Sequence, residues 1–158
     1  MTEETLAYAY MRISSRSQKS KYGLKTQRED IDKAKNSFNL KILRWYKDVC
    51  TGRTIQRKEF QQMTEDLKNH PEVKAIVISR TSRLGRNVRE MLNWHYELEK
   101  IGVKLFVAEG GLIDTDTITG KMNFQIQCVF AEFELNNMTD QLQKGLARWK
   151  AEQKNRGV

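Results

Sequence analysis

Four short apolar runs recur along the chain, at residues 6–11, 40–46, 73–78 and 103–108. Each has the length of a strand, and the clearest is Val-Lys-Ala-Ile-Val-Ile, β-branched and bounded by polar residues. Between them, apolar residues return every three or four positions, the period of a helix. Strands alternating with helices predict an α/β fold with a mostly parallel central sheet flanked by helices. The first helical stretch opens at Gly23-Leu24 and puts Leu24, Ile31, Ala34 and Phe38 on one face. The second, about 57–69, carries Phe60, Met63 and Leu67 and is stopped by Pro71. The third, about 88–100, turns Met91, Trp94, Leu98 and Ile101 inward, with Gly102 as its cap.

From about residue 119 the helical pattern runs to the end. Asp114-Thr115-Asp116-Thr117 offers several N-caps for it. Met122, Ile126, Val129, Phe130 and Phe133 form an apolar stripe that Met138, Leu142, Leu146 and Trp149 continue. A helix of roughly 30 residues is about 45 Å long, which outruns so small a domain. We therefore expect a core over 1–118 and a long helix over 119–158 whose later half leaves it to meet a partner subunit or DNA. The plain alternative is a terminal helix folded back on its own sheet. Lys144, Arg148 and Lys150 near its end are placed to follow a phosphate backbone.

Composition narrows the function. The 158 residues suit one domain, and no apolar run approaches the roughly 20 residues of a membrane span. The start, Met1-Thr2-Glu3-Glu4-Thr5, is acidic and polar, unlike a secretory signal. Two distant cysteines, Cys50 and Cys128, fit reduced thiols and a cytoplasmic protein better than a disulfide framework. With only two histidines, a clustered soft-metal site is not expected. The net charge of +8 favours a polyanionic partner, with nucleic acid first among them.

In an open parallel sheet, chemistry sits outside the carboxyl ends of the strands. The first strand delivers Arg12 and Ser14 there, the third delivers Arg80, Arg83 and Arg86, and the loop after the second adds Arg53 and Arg57. Serines at a strand end also open loops and cap helices, and lone arginines are commonly solvated. Together, however, guanidiniums bind phosphate bidentately, lower the pKa of a nearby hydroxyl and stabilise charge on a phosphoryl group under attack. Neither His70 nor His95 lies in these loops, which argues against a Ser-His-Asp hydrolase.

Tyr10-Met11-Arg12-Ile13-Ser14-Ser15-Arg16-Ser17-Gln18 resembles the signature that opens the serine recombinases, the resolvase/invertase family. Gly23-Leu24 with Gln27-Arg28, Asp48 with Thr51-Gly52 and Arg57, and Arg83-Leu84-Gly85-Arg86 resemble its later blocks. Ile113-Asp114-Thr115, Gly120 and Ala131-Glu132-Phe133-Glu134 resemble the run into its long helix, so the likeness spans nearly the whole chain in order. The resemblance implies that Ser14 attacks a DNA phosphodiester, releasing a 3′-hydroxyl and holding the 5′ end as phosphoserine. It assigns Arg12, Arg57, Arg83 and Arg86 to activation and phosphate binding, and Tyr10, Gln27, Ser82 and Asp140 to supporting positions. It implies double-stranded DNA as partner, a homodimer that becomes a tetramer in the synaptic complex, strand exchange by rotation, and neither ATP nor metal as cofactor.

The chain departs from the family pattern at three places. Ser82 stands where Asp usually precedes the first arginine of the block, which removes a carboxylate that could orient a guanidinium. Asp140-Gln141 replaces a Glu-Arg pair. The sequence-specific DNA-binding domain expected beyond the long helix is not reached by Val158. Two other readings stand beside the recombinase. One is a metal-dependent nuclease using Asp48, Asp114 and Asp116; the other is a catalytically impaired DNA-bridging or regulatory homologue with the same fold.

Overall fold

The structure, a computed structural model, describes residues 3–14, 20–50, 57–85, 87–109 and 113–157, without the side chains of 14, 20–22, 50, 113 and 135. The elements run β1 (Thr5–Ser14), α1 (Ser20–Ser37), β2 (Leu40–Cys50), α2 (Lys58–Asn69), β3 (Ala75–Ile78), a 3₁₀ turn (Thr81–Arg83), α3 (Val88–Lys100), β4 (Lys104–Val107), β5 (Ile113–Asp114) and α4 (Ile118–Asn155). The sheet order is β2-β1-β3-β4-β5. The first four strands are mutually parallel, as the alternation predicts, and β5 joins antiparallel to β4.

Both faces of the sheet are covered, so the central strands read as continuous apolar runs. Ala7 to Met11 and Ala75 to Ile78 are buried throughout. One face packs Ala7, Ala9, Met11 and Val77 against Ile31 and Ala34 of α1. The other packs Tyr8, Tyr10, Ile76 and Ile78 with Met63 and Leu67 of α2, Met91 and Leu98 of α3, and Phe124 and Cys128 of α4. Burial pushes the Cys128 thiol up to about 12, so it is a small core residue rather than a reactive one. The expected face of α1 is observed, but the helix begins at Ser20, three residues before Gly23.

One inward assignment on α3 changes. Ile101 is largely exposed, because α3 ends there. Gly102, at φ +73°, donates its N–H to Glu99 and Val103 donates to Leu98, a Schellman closure that turns the chain before Ile101 reaches the core. His95 is buried instead, one turn from both Met91 and Leu98.

The stripe on α4 also lies differently. Met122, Ile126, Val129, Phe130 and Phe133 are all exposed, and so are Met138, Leu142, Leu146 and Trp149. The helix is held by Phe124 and Cys128, which are fully buried, and by Ala131 beside them. From Phe133 to Glu152 every described side chain is exposed. The later half therefore projects from the core rather than folding back on it. No helix among the described residues is long and apolar enough to cross a membrane.

Candidate active site

β3 ends at Ile78, opposite Tyr10, while β1 runs on to Ser14. Past that point no strand among the described residues pairs with β1 on the β3 side, and side chains take over. The Gln27 side chain, from α1, accepts from the Arg12 amide at 3.3 Å and donates to the Arg12 carbonyl at 3.1 Å. It acts as a one-residue substitute for a strand, and this explains a buried glutamine in a helix.

The 3₁₀ turn after β3 completes the enclosure. Arg83 Nη1 donates to the same Arg12 carbonyl at 3.2 Å, and Arg12 Nη2 donates to the Ser82 carbonyl at 2.7 Å. Arg57 Nη2 donates to the Arg83 carbonyl at 3.0 Å. Three guanidiniums from three segments thus interlock through the backbone carbonyls of Ser82, Arg83 and Arg12. No carboxylate among the described residues accepts from Arg57 or Arg83, so their charge stays available to an incoming anion. Burial, with Arg80 nearby, pushes the Arg83 pKa below its ordinary value, which marks the cost of holding that cation there.

Arg57 is aimed by a second network. Its guanidinium lies 4.3 Å over the Phe60 ring, and its Nε donates to the Tyr10 hydroxyl at 3.1 Å. Tyr10 in turn donates to Asp48 at 2.9 Å. Asp48, at the end of β2, accepts from the amides of Glu59 and Phe60 at 3.0 Å each. A carboxylate at a helix N-terminus satisfies orphan donors and the helix dipole together. Asp48 lies ten residues before α2, so the local pattern of the sequence carries no sign that its carboxylate caps that helix.

Of the expected site residues, Arg12, Arg57 and Arg83 converge, with Tyr10, Gln27 and Ser82 around them. The Ser14 backbone ends the same strand, two residues past Arg12; its side chain and all of Arg86 lie outside the described residues, as does Arg53. Arg80 is turned away into an ion pair with Glu109 at 2.8 Å. Asp140 does not reach this cluster: it lies on the projecting part of α4, paired with Lys144 at 2.8 Å. Lys144, Arg148 and Lys150 are exposed along the same helix. The three aspartates of the nuclease reading do not assemble. Asp48 caps α2, whereas Asp116 pairs at 2.8 Å with Lys104, at the opposite end of the sheet. Among the described residues no group of three or more carboxylate, His or Cys side chains could hold a metal ion.

A largely parallel sheet flanked by helices, an arginine cluster at its carboxyl rim and a long C-terminal helix define the class of α/β domain to which the chain is compared. Residues 7–155 match the family described as "Resolvase, N terminal domain", and the chain belongs to that family. It is 27% identical over 143 residues to "Serine recombinase PinR" of Escherichia coli (strain K12), covering 89% of this chain and 68% of that protein. A resolvase family site-specific recombinase from Streptococcus pneumoniae superposes with a TM-score of 0.66 at 26% identity, covering 92% and 97% of the two chains. The catalytic domain of TP901-1 integrase gives the same TM-score at 19% identity, covering 85% and 99%, and supports the fold.

Proposed function

We propose that this chain is the catalytic part of a serine site-specific recombinase acting on double-stranded DNA in the cytoplasm. Ser14 Oγ attacks a backbone phosphorus and forms a phosphoserine with the 5′ end. The 3′ oxygen leaves with the bonding electron pair and takes up a proton. In the reverse step a 3′-hydroxyl from the exchanged strand attacks the phosphoserine and returns the serine. The ester conserves the phosphodiester energy, so the cycle needs neither a nucleotide nor a metal. Arg12, Arg57, Arg83 and Arg86 bind the phosphate and stabilise its developing charge. Residues 119–158 form the assembly element. The exposed apolar stripe of α4 takes a second copy to make a dimer, and two dimers make the synaptic tetramer.

The observation that carries this reading is the interlock of the Arg12, Arg57 and Arg83 guanidiniums through the backbone carbonyls of Ser82, Arg83 and Arg12, beside the strand that ends at Ser14. The departure at Ser82 weighs little against it. The Arg12 guanidinium is held by the carbonyl of residue 82, which any residue supplies.

The test is a covalent trap. The chain, fused beyond Val158 to a DNA-binding module of known site, is mixed with nicked duplex and chelator, beside Ser14→Ala and Arg83→Ala. A denaturing gel is expected to show protein joined to a DNA 5′ end in the wild type only. If DNA is bound and bridged but no adduct forms, the non-catalytic homologue replaces this reading, and Ser82 and Gln141 are the substitutions to revert first.

A further inference from the structure

A hydrogen bond ties the turn that carries Ser82 and Arg83 to α4. Thr81, buried at the start of the turn, donates from Oγ1 to Gln127 Oε1 at 2.6 Å. Gln127 stands between Phe124 and Cys128 on the face that α4 turns to the core. Phe124 and Cys128 fix depth but not register, since apolar contacts are non-directional, while on its other side Gln127 borders a cleft with Arg80, Ser82, Glu109 and Glu134. A hydrogen bond is directional and weakens steeply when misaligned. The ion pair between Lys121 and Glu99 reaches α3 rather than the turn.

What lies at the other end of that bond is the arginine cluster. The next residue, Ser82, gives its carbonyl to Arg12; the one after, Arg83, donates to the Arg12 backbone and accepts from Arg57. A turn displaced by an ångström loses these distances together. Gln127 is half-buried, and ordering its side chain onto Thr81 costs entropy that the hydrogen bond must offset.

We propose that Gln127 is a positioning residue: through Thr81 it clamps the arginine turn to α4, so that the seating of the long helix sets the spacing of Arg12, Arg57 and Arg83 at the phosphate. This rests on the reading of those arginines as phosphate ligands. It also makes the chemistry sensitive to whatever occupies the exposed face of α4, since the same helix carries both.

The experiment compares Gln127→Leu, Thr81→Val, the double variant and Gln127→Glu, which keeps the acceptor. Two measurements are made. One is the single-turnover rate of adduct formation on the nicked duplex, with DNA affinity measured separately. The other is the set of arginine Nε–Hε resonances of the DNA-free 158-residue chain. Gln127→Leu, Thr81→Val and the double variant are each expected to slow adduct formation about tenfold, with affinity within about twofold. The double is no slower than either single, Gln127→Glu recovers most of the rate, and the Arg12, Arg57 and Arg83 resonances shift in Gln127→Leu. Had Gln127 served only to satisfy a buried hydroxyl, the double variant would cleave at the wild-type rate, and that result overturns the proposal. So do unshifted arginine resonances in Gln127→Leu. A wild type without adduct would remove the recombinase reading, while the resonances would still decide the clamp.

Discussion

Arg57 Nε donates to the Tyr10 hydroxyl at 3.1 Å, and that hydroxyl donates onward to Asp48 at 2.9 Å. Burial raises the Tyr10 pKa above its ordinary value, so the phenol keeps the proton it donates to Asp48 while accepting from Arg57. Tyr10→Phe keeps the ring on Phe60 but removes both bonds. Asp48 keeps its two amide donors, whereas Arg57 loses the acceptor that aims it. The expected cost is about 1–2 kcal/mol in urea unfolding with an unchanged denaturant slope. Adduct formation falls further than that loss of stability accounts for, while DNA affinity holds.

Gln27 substitutes for a missing strand beside Arg12. Gln27→Ala removes one partner from the Arg12 amide and one from its carbonyl, which keeps the Arg83 bond. The expected loss is about 1–3 kcal/mol. Hydrogen exchange checks the location: the Arg12 amide should exchange much faster in the variant, while the Ile76 and Val77 amides of the buried β3 change only with global stability.

Gly120 sits in the first turn of α4, where an added Cβ would fall on the Asp114 carbonyl. Helix propensity alone makes Gly→Ala favourable by about 1 kcal/mol in a helix interior. Here the sign reverses, because the obstacle is backbone and cannot rotate away. Gly120→Ala should lower the thermal midpoint, whereas Gly145→Ala, with open space at its Cβ, should raise it or leave it unchanged. A stabilised Gly120→Ala would show that α4 does not seat against β5 as described.

The four parallel strands were legible because double-sided burial leaves an unmistakable apolar run, as at residues 75–78. β5 has two residues, too few for any period to show. His95 was passed over because of its polarity, although its spacing from Met91 and Leu98 is that of the buried face. On α4 the large exposed residues outweighed Phe124 and Cys128, since one helix carries two apolar faces and sequence does not say which meets the core. The arginines were legible from their positions after strands. Their bonding was not, because it runs through backbone carbonyls, which every residue possesses.

Lys144 shares its charge with Asp140 at 2.8 Å, whereas no carboxylate among the described residues pairs with Arg148 or Lys150. If α4 lies along a phosphate backbone, these cations contribute unequally. Arg148→Gln and Lys150→Gln should each reduce the slope of log affinity against log salt by about one. Lys144→Gln should change it less. Fluorescence anisotropy of labelled duplex over a potassium chloride series measures all three, and equal slopes in every variant would remove α4 from the DNA interface.

His95 is buried against Phe124, with ring centroids 5.0 Å apart, and borders a cleft of about 200 Å³ with Glu99, Lys104, Thr115 and Asp116. Burial depresses its pKa; Glu99 on its own helix favours the charged form, and Lys121 of α4 opposes it. The unfolded chain takes up this proton near its ordinary value of about 6.5, the folded protein only at lower pH. Between those values the unfolded state binds more protons, so stability rises with pH. The neutral ring's contribution is therefore present above about 6.5 and is lost as pH falls below it. Wild-type stability should drop between pH 7 and pH 5, and His95→Gln, which does not titrate, should show a shallower drop despite lower stability at pH 7. Urea midpoints at the two pH values decide it. An equal drop in both proteins would mean that carboxylates elsewhere carry the acid sensitivity and that His95 charges without disturbing the base of α4.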